Sequence, residues 1–220
     1  SNTMMNSSIA MNFSKNNSNL DINMDVYEDL SKTEERYEFV APNYDYKNKL
    51  SISEELGTLN FQSRGYYKNY ETNKKQTKLV NDFHWKSNDY ISNSGIITKF
   101  EGNLKNSNYR SENTSDHKND KNNIELMGAV SLLSSLPLEK QSENYKKTLT
   151  PKLMLRTAPG HMRNMSDDSL KLGMSNLYSL NKLAAIDVVE TGTSLTLGTD
   201  YNYKDKNDFE KFNLSVGQVF

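Results

Sequence analysis

The chain has 220 residues, with 27 Lys plus Arg against 28 Asp plus Glu and no cysteine. That balance leaves no net field to draw it to nucleic acid or an anionic surface, and the missing thiols exclude disulfides, thiolate catalysis and Cys-based zinc sites. Apolar residues are only 35%, yet 13 Tyr make the chain too aromatic for a disordered one, and no run approaches the ~18 uninterrupted apolar residues of a transmembrane helix, which a β-barrel span would not produce anyway. No signal peptide precedes Ser1-Asn2-Thr3, so the start reads as internal or processed and the chain as a fragment.

Period-2 alternation of apolar and polar residues recurs from one end to the other, the mark of strands with one greasy and one wet face. Ile9, Met11 and Phe13 alternate with Ala10, Asn12 and Ser14, and Leu20, Ile22, Met24 and Val26 follow against Asp21, Asn23 and Asp25, a first hairpin. Less regular strands are expected at about 36–46, 58–70 and 77–87, and Ile96, Thr98, Phe100 and Leu104 continue the series. Ile124, Leu126, Val130, Leu132 and Leu136 form the most apolar face. Leu149, Leu153 and Leu155 face away from Lys152 and Arg156, and Leu172, Met174 and Tyr178 away from Lys171 and Ser175. A last hairpin joins Leu195, Leu197, Thr199, Tyr201 and Tyr203 to Phe212, Leu214, Val216 and Phe220 across the turn Asp205-Lys206-Asn207-Asp208.

The series predicts an all-β antiparallel meander of about eleven long strands, each about 8 to 12 residues, the length that crosses a bilayer when tilted. The fold class this favours is a partial, open transmembrane β-barrel wall, with a soluble β-sandwich or solenoid of the same size as the alternative, whose strands would more often be shorter. Helical periodicity is nearly absent, and 180–189 reads as a loop. The prolines 42, 137, 151 and 159 are expected at strand ends or edge-tolerant places, and the polar stretches 106–123 and 161–168 as loops in water. Tyr66, Tyr67, Tyr70, Trp85, Tyr201 and Tyr203 fit either an interfacial aromatic girdle or ordinary cross-strand pairing.

Little in the chain carries catalysis. His84, His117 and His161 lack partners at metal-ligand spacing, the acidic run 116–123 lacks the glycine and terminal glutamate of a calcium loop, and the adjacent Asp167 and Asp168 diverge rather than converge as an acid and base pair must. No phosphate loop or nucleophile elbow is present. An enzyme is not expected, nor a cofactor or metal.

The order of Leu149-Thr150-Pro151-Lys152-Leu153, then Asn176-Leu177-Tyr178-Ser179-Leu180-Asn181-Lys182, Ile186-Asp187, Thr193-Ser194-Leu195-Thr196-Leu197-Gly198 and Phe212-Asn213-Leu214-Ser215-Val216-Gly217-Gln218 resembles the C-terminal outer-membrane β-barrel of the LPS-assembly family LptD (OstA). Upstream, residues 36–42 and 81–86 look like the variable earlier barrel of alphaproteobacterial members. The chain departs from the family where Ala185 precedes Ile186-Asp187, where Val188 follows, and where Lys182 stands for the usual Arg.

The resemblance implies that residues 1–220 are part of one barrel domain, with the periplasmic N-terminal jelly roll and the last barrel strands outside it. It implies a Gram-negative cell outer-membrane location and a role in inserting lipopolysaccharide into the outer leaflet, with lipopolysaccharide, outer-membrane lipid, an LptE-like plug lipoprotein and periplasmic LPS-bridge proteins as partners and no nucleic acid. On this reading Leu126, Val130, Leu132, Leu153, Leu155, Leu195, Leu197, Leu214 and Val216 face lipid, while Lys152, Arg156, Lys171, Asp200 and Asn213 face the lumen. A surface adhesin or binding module of soluble β-sheet, and an unrelated porin or receptor barrel, are the alternatives.

Overall fold

The computed structural model describes residues 3–50, 52–71, 73–114, 122–162, 172–183 and 185–220. Among these residues there is no α-helix. Twelve strands are present: β1 Met4–Lys15, β2 Ser18–Asp29, β3 Tyr37–Leu50, β4 Thr58–Tyr70, β5 Lys74–Lys86, β6 Tyr90–Ile91, β7 Ile97–Glu112, β8 Asn123–Ser135, β9 Leu138–Ser142, β10 Tyr145–Ala158, β11 Gly192–Asp205 and β12 Glu210–Val219, with one 3-10 turn at Glu54–Leu56. They form one sheet in the order β1-β2-β3-β4-β5-β7-β8-β10-β11-β12, with β6 on β7 and β9 on β10. The order is that of a meander and does not close. Most neighbours in sequence are joined by short connections, whereas β10 and β11 pair across the long segment 159–191, and β1 and β12 are the edges.

The chain falls into two compact units, one of Ser1–Ser51, Leu59–His84 and Leu104–Leu126, the other of Ile52–Thr58, Trp85–Asn103 and Met127–Phe220. In the first, side-chain alternation sorts cleanly by register. Phe13 pairs with Leu20 and Met11 with Ile22, Leu20 with Tyr46 and Ile22 with Tyr44, and the face continues through Phe61, whose ring lies 4.7 Å from Phe83. The opposite face is polar: Asn12 pairs with Asp21, Asp21 with Asp45 and Asp45 with Arg64. Here Gln62 donates to Asp45 at 2.7 Å and Lys105 meets Asp82 at 2.6 Å. Within the apolar face one polar track survives, running from Tyr44 through Ser63 and Asn81 to Asn106 and Asn108. Each member bonds to the next, so the track is satisfied internally.

In the second unit the register sorts residues the same way. Lys152, Met154 and Arg156 of β10 share a face with Ser131 and Leu133 of β8 and with Ser194, Thr196 and Gly198 of β11. Leu153 and Leu155 share the other with Leu132 of β8 and with Leu195 and Leu197 of β11. On the first of these faces lies a non-repetitive segment, residues 172–183 and 185–191, hereafter the strap. Leu177, Leu180, Val188 and Val189 of the strap are buried, and Leu180 and Val189 cluster with Ala129 and Ala158 of the sheet. This cluster is the closest thing to a hydrophobic core that the unit contains.

Three expectations need correction. Leu172, Met174 and Tyr178 are not in a strand: Asn176 accepts from the Gly173 N–H through its side chain and donates its own N–H to the Gly173 carbonyl, which makes a turn. The stretch 106–112 is not loop but the far end of β7, where polar side chains on both faces erase the alternation that would reveal a strand. Finally, Pro42 and Pro151 lie inside strands. Pro42 sits where the register of β3 slips against β4, between Val40 and Asn43. Pro151 sits opposite the break between β8 and β9, where the Leu136 N–H still donates to its carbonyl at 3.1 Å. A hydrogen-bonded antiparallel pair normally exchanges two bonds, and Pro151 has no N–H for the second.

Candidate functional site

The faces define the candidate site. Leu126, Val130, Leu132, Leu153, Leu155, Leu195, Leu197, Leu214 and Val216 all lie on the unstrapped side of their strands, as the alternation along β8, β10, β11 and β12 and the pairing of Thr199 with Val216 and Tyr201 with Leu214 require. Most are exposed, Leu126 to 71% and Val130 to 57%. Water gains nothing from such a surface, and its extent is beyond the scattered apolar exposure of soluble domains. Trp85 stands on this side too, against Gly102 and with its indole N–H donating to the Leu56 carbonyl at 2.7 Å. Tyr201 packs on Phe212 and Tyr203 on Tyr145, both across strands.

The other face carries charge in pairs. Lys152, Arg156, Asp200 and Asn213 all lie on it, by the pairing of Lys152 with Gly198 and of Asn202 with Asn213. Lys152 and Asp200 form an ion pair across β10 and β11. Arg156 is only 3% exposed. Lys171 lies outside the described residues, as do His117, Asp167, Asp168 and most of the acidic run 116–123. Among the described residues no group of three His, Asp or Glu is placed to hold a metal.

The strap was not anticipated as a structure, and it supplies the closest geometry. The Arg156 guanidinium donates through Nε to the Leu180 carbonyl at 2.5 Å, through one terminal nitrogen to the Glu190 carbonyl, and through the other to the Gly192 carbonyl at 3.4 Å. Asn181 ties the strap to itself, donating to the Val188 carbonyl at 3.0 Å and accepting from the Glu190 N–H at 3.0 Å. Lys182, nearly buried, pairs with Glu190 at 3.4 Å. Tyr178 lies over the sheet with the Lys152 ammonium 5.4 Å from its ring centre. Burial, and then the Asp200 carboxylate, push its phenol up from the ordinary value, so it stays neutral near pH 7.

Gly198 and Gly217 face one another across β11 and β12, and a Cβ on either would collide with the strap, on Gly198 with the Tyr178 hydroxyl and on Gly217 with Leu177 Cδ2. Both glycines are places of close approach rather than of unusual backbone. Sequence reasoning quoted these glycines, Asn181 and Tyr178 as carriers of a resemblance but gave them no contact. The signal was there only in the pairing of small residues on neighbouring strands with an apolar segment of no fixed period.

The family model described as LptD, LPS transport system D, matches residues 1–220. The chain belongs to the LptD family. Membership makes it a component of lipopolysaccharide transport at the outer membrane, in a family of transport and assembly proteins, with LPS as the transported molecule and LptE among the family's partners. The all-β meander fits the barrel of an outer-membrane protein. No curated protein matches the chain. Of the LptD motifs named above, the Asn176–Lys182 and Ile186-Asp187 segments form the strap, and the two strand motifs containing Gly198 and Gly217 form the seat beneath it.

Proposed function

We propose that this LptD chain forms part of the wall of a transmembrane β-barrel through which lipopolysaccharide is inserted into the outer leaflet. Residues 1–220 would make one stretch of that wall, and the edge strands β1 and β12, which have ladder groups to offer on one side, would pair with further strands of the same barrel. The N-terminal jelly roll and the last barrel strands, and with them the outlet between first and last strands, would lie outside this stretch.

One observation carries the reading: apolar side chains from Leu126 to Val216 stand exposed on one face, while charges on the opposite face are paired or covered. In hydrocarbon the energetics favour that arrangement, since a charge at the midplane of a barrel's lipid face costs about 2 to 4 kcal/mol, whereas the lumen face tolerates it. A soluble sheet would instead turn Leu126, Val130, Leu214 and Val216 into a core. No bond is made or broken; the wall gives sugars and phosphates a polar route and keeps acyl chains to the other side. A plug lipoprotein of the LptE kind and the periplasmic bridge proteins are the expected partners of the intact protein.

The test is photo-crosslinking in living cells. A photoreactive residue at Lys152, Asp200 or Asn213 of the full-length protein should capture lipopolysaccharide, whereas one at Leu155, Leu197 or Leu214 should capture bulk phospholipid. Capture of no lipopolysaccharide from any polar-face position would overturn the passage.

A further inference from the structure

We propose that the strap is a fixed lining of this wall, fastened by Arg156, and that over β10 to β12 a passing saccharide meets the strap rather than most of the strand side chains beneath it. The second half rests on the passage reading above. The first half does not.

The fastening begins with one side chain. A guanidinium presents five N–H donors in a rigid plane, and Arg156 directs three of them to the carbonyls of Leu180, Glu190 and Gly192, which bracket the loop from Asn181 onward. It therefore closes that loop like a clasp. The Asn181 side chain braces the same closure from within, through Val188 and Glu190. Lifting the strap would strip three carbonyls and a buried cation of their partners at once, and a buried charge without partners is among the costliest groups in a protein.

The far end is held by shape. Leu177 and Tyr178 occupy the room that Cβ atoms at Gly217 and Gly198 would take, and Leu177, Leu180, Val188 and Val189 are each at most 5% exposed. Small residues below, Ala129 and Ala158, let the strap sit close. Polar clasp, glycine seat and buried apolar row all oppose movement. Arg156 is thus a positioning residue. It faces the interior of the wall but is screened from whatever passes, while Lys152 and Asp200, each about one-third exposed or less, stay at the strap's margin.

The test uses the full-length protein in outer membranes, in a background without other cysteines, and a small water-soluble maleimide. Cysteine at Val189, on the buried side of the strap, should label at least about tenfold more slowly than cysteine at the exposed Ser175, since slow labelling reports the free energy of local opening. Arg156→Leu should raise labelling of Val189→Cys by about tenfold or more while the barrel keeps its heat-modifiable mobility, and Arg156→Lys should fall between, because an ammonium cannot span three carbonyls. Fast labelling of Val189→Cys with Arg156 intact would overturn the fixed strap, and labelling unmoved by Arg156→Leu would overturn the clasp.

A second arm keeps Arg156 and so does not depend on that variant folding. Leu177→Cys with Gly217→Cys should form a disulfide that ties the strap to β12, and oxidised protein should deliver lipopolysaccharide to the surface as well as reduced protein does. Delivery lost on oxidation and restored by reductant would show a strap that must move, and would overturn the proposal. Slow labelling together with no lipopolysaccharide crosslinks on the polar face would leave the clasp standing and sink only the passage reading.

Discussion

Lys152 on β10 pairs with Asp200 on β11, two residues beyond Gly198, which lies directly opposite, and both side chains keep about a third or less of their surface in water. Lys105 and Asp82 form the same kind of pair with far less exposure, 5% and 17%. The two should respond differently to loss of the lysine. Lys152→Gln is expected to cost under about 1 kcal/mol, the range for solvent-screened pairs. Lys105→Gln removes the cation beside a mostly buried carboxylate and should cost about 3 kcal/mol. Urea unfolding of the protein refolded in lipid vesicles measures both, and equal losses would contradict the burial difference.

Charge placement on the two faces should separate as sharply. Val130→Arg and Leu214→Arg put a guanidinium on the apolar face and should each lower folding stability by about 2 to 4 kcal/mol if their positions lie near mid-bilayer. Asn213→Arg moves the same group one residue along β12 to the other face and should change stability by less than about 1 kcal/mol. Heat-modifiable mobility and assembly yield in outer membranes read the difference.

Gly198 and Gly217 should not be equivalent. A Cβ at Gly198 would stand 2.5 Å from the Val216 carbonyl oxygen, a backbone atom that cannot turn aside, and would strike the Tyr178 hydroxyl as well. At Gly217 the obstacle is the end of the Leu177 side chain, with the nearest backbone atom, the Leu197 carbonyl oxygen, at 3.3 Å. Gly198→Ala is expected to cost about 1 to 3 kcal/mol, as overpacking does, and Gly217→Ala less. Pairing Gly217→Ala with Leu177→Ala should recover part of the Gly217→Ala loss, which a double-mutant cycle would detect.

Much of the sheet was legible because its two faces meet different surroundings. Where one face is apolar, as in Ile9, Met11 and Phe13 or Leu195 and Leu197, a period of two survives in the sequence and sets strand, face and neighbour together. It failed where that contrast was missing. The far end of β7, with Lys105, Ser107 and Ser111 on one side and Asn106 and Asn108 on the other, is polar all round and reads as loop. The strap failed for the opposite reason: Leu177, Leu180, Val188 and Val189 are apolar because they pack on the sheet, but a segment without regular backbone carries no period to read. Alternation made legible that Arg156 shares a face with Lys152, but its carbonyl partners lie 24 to 36 residues away and only the folded chain brings them together.

The central claim is that one face of this sheet meets hydrocarbon and the other does not. Because the chain has no cysteine, single spin labels can be placed without removing native thiols from it, at each position from 149 to 156 and from 195 to 202 in the full-length protein reconstituted in bilayers. The account predicts that collision with oxygen, which concentrates in lipid, peaks at Leu153, Leu155, Leu195 and Leu197. At Lys152, Asp200 and the other positions of their face it should be low, with a period of two along each strand. Collision with a water-soluble nickel chelate should peak at Asp200 and Lys152 and vanish under the strap. Equal oxygen exposure on both faces, or ready access of the chelate to Leu153, Leu155 and Leu197, would contradict it.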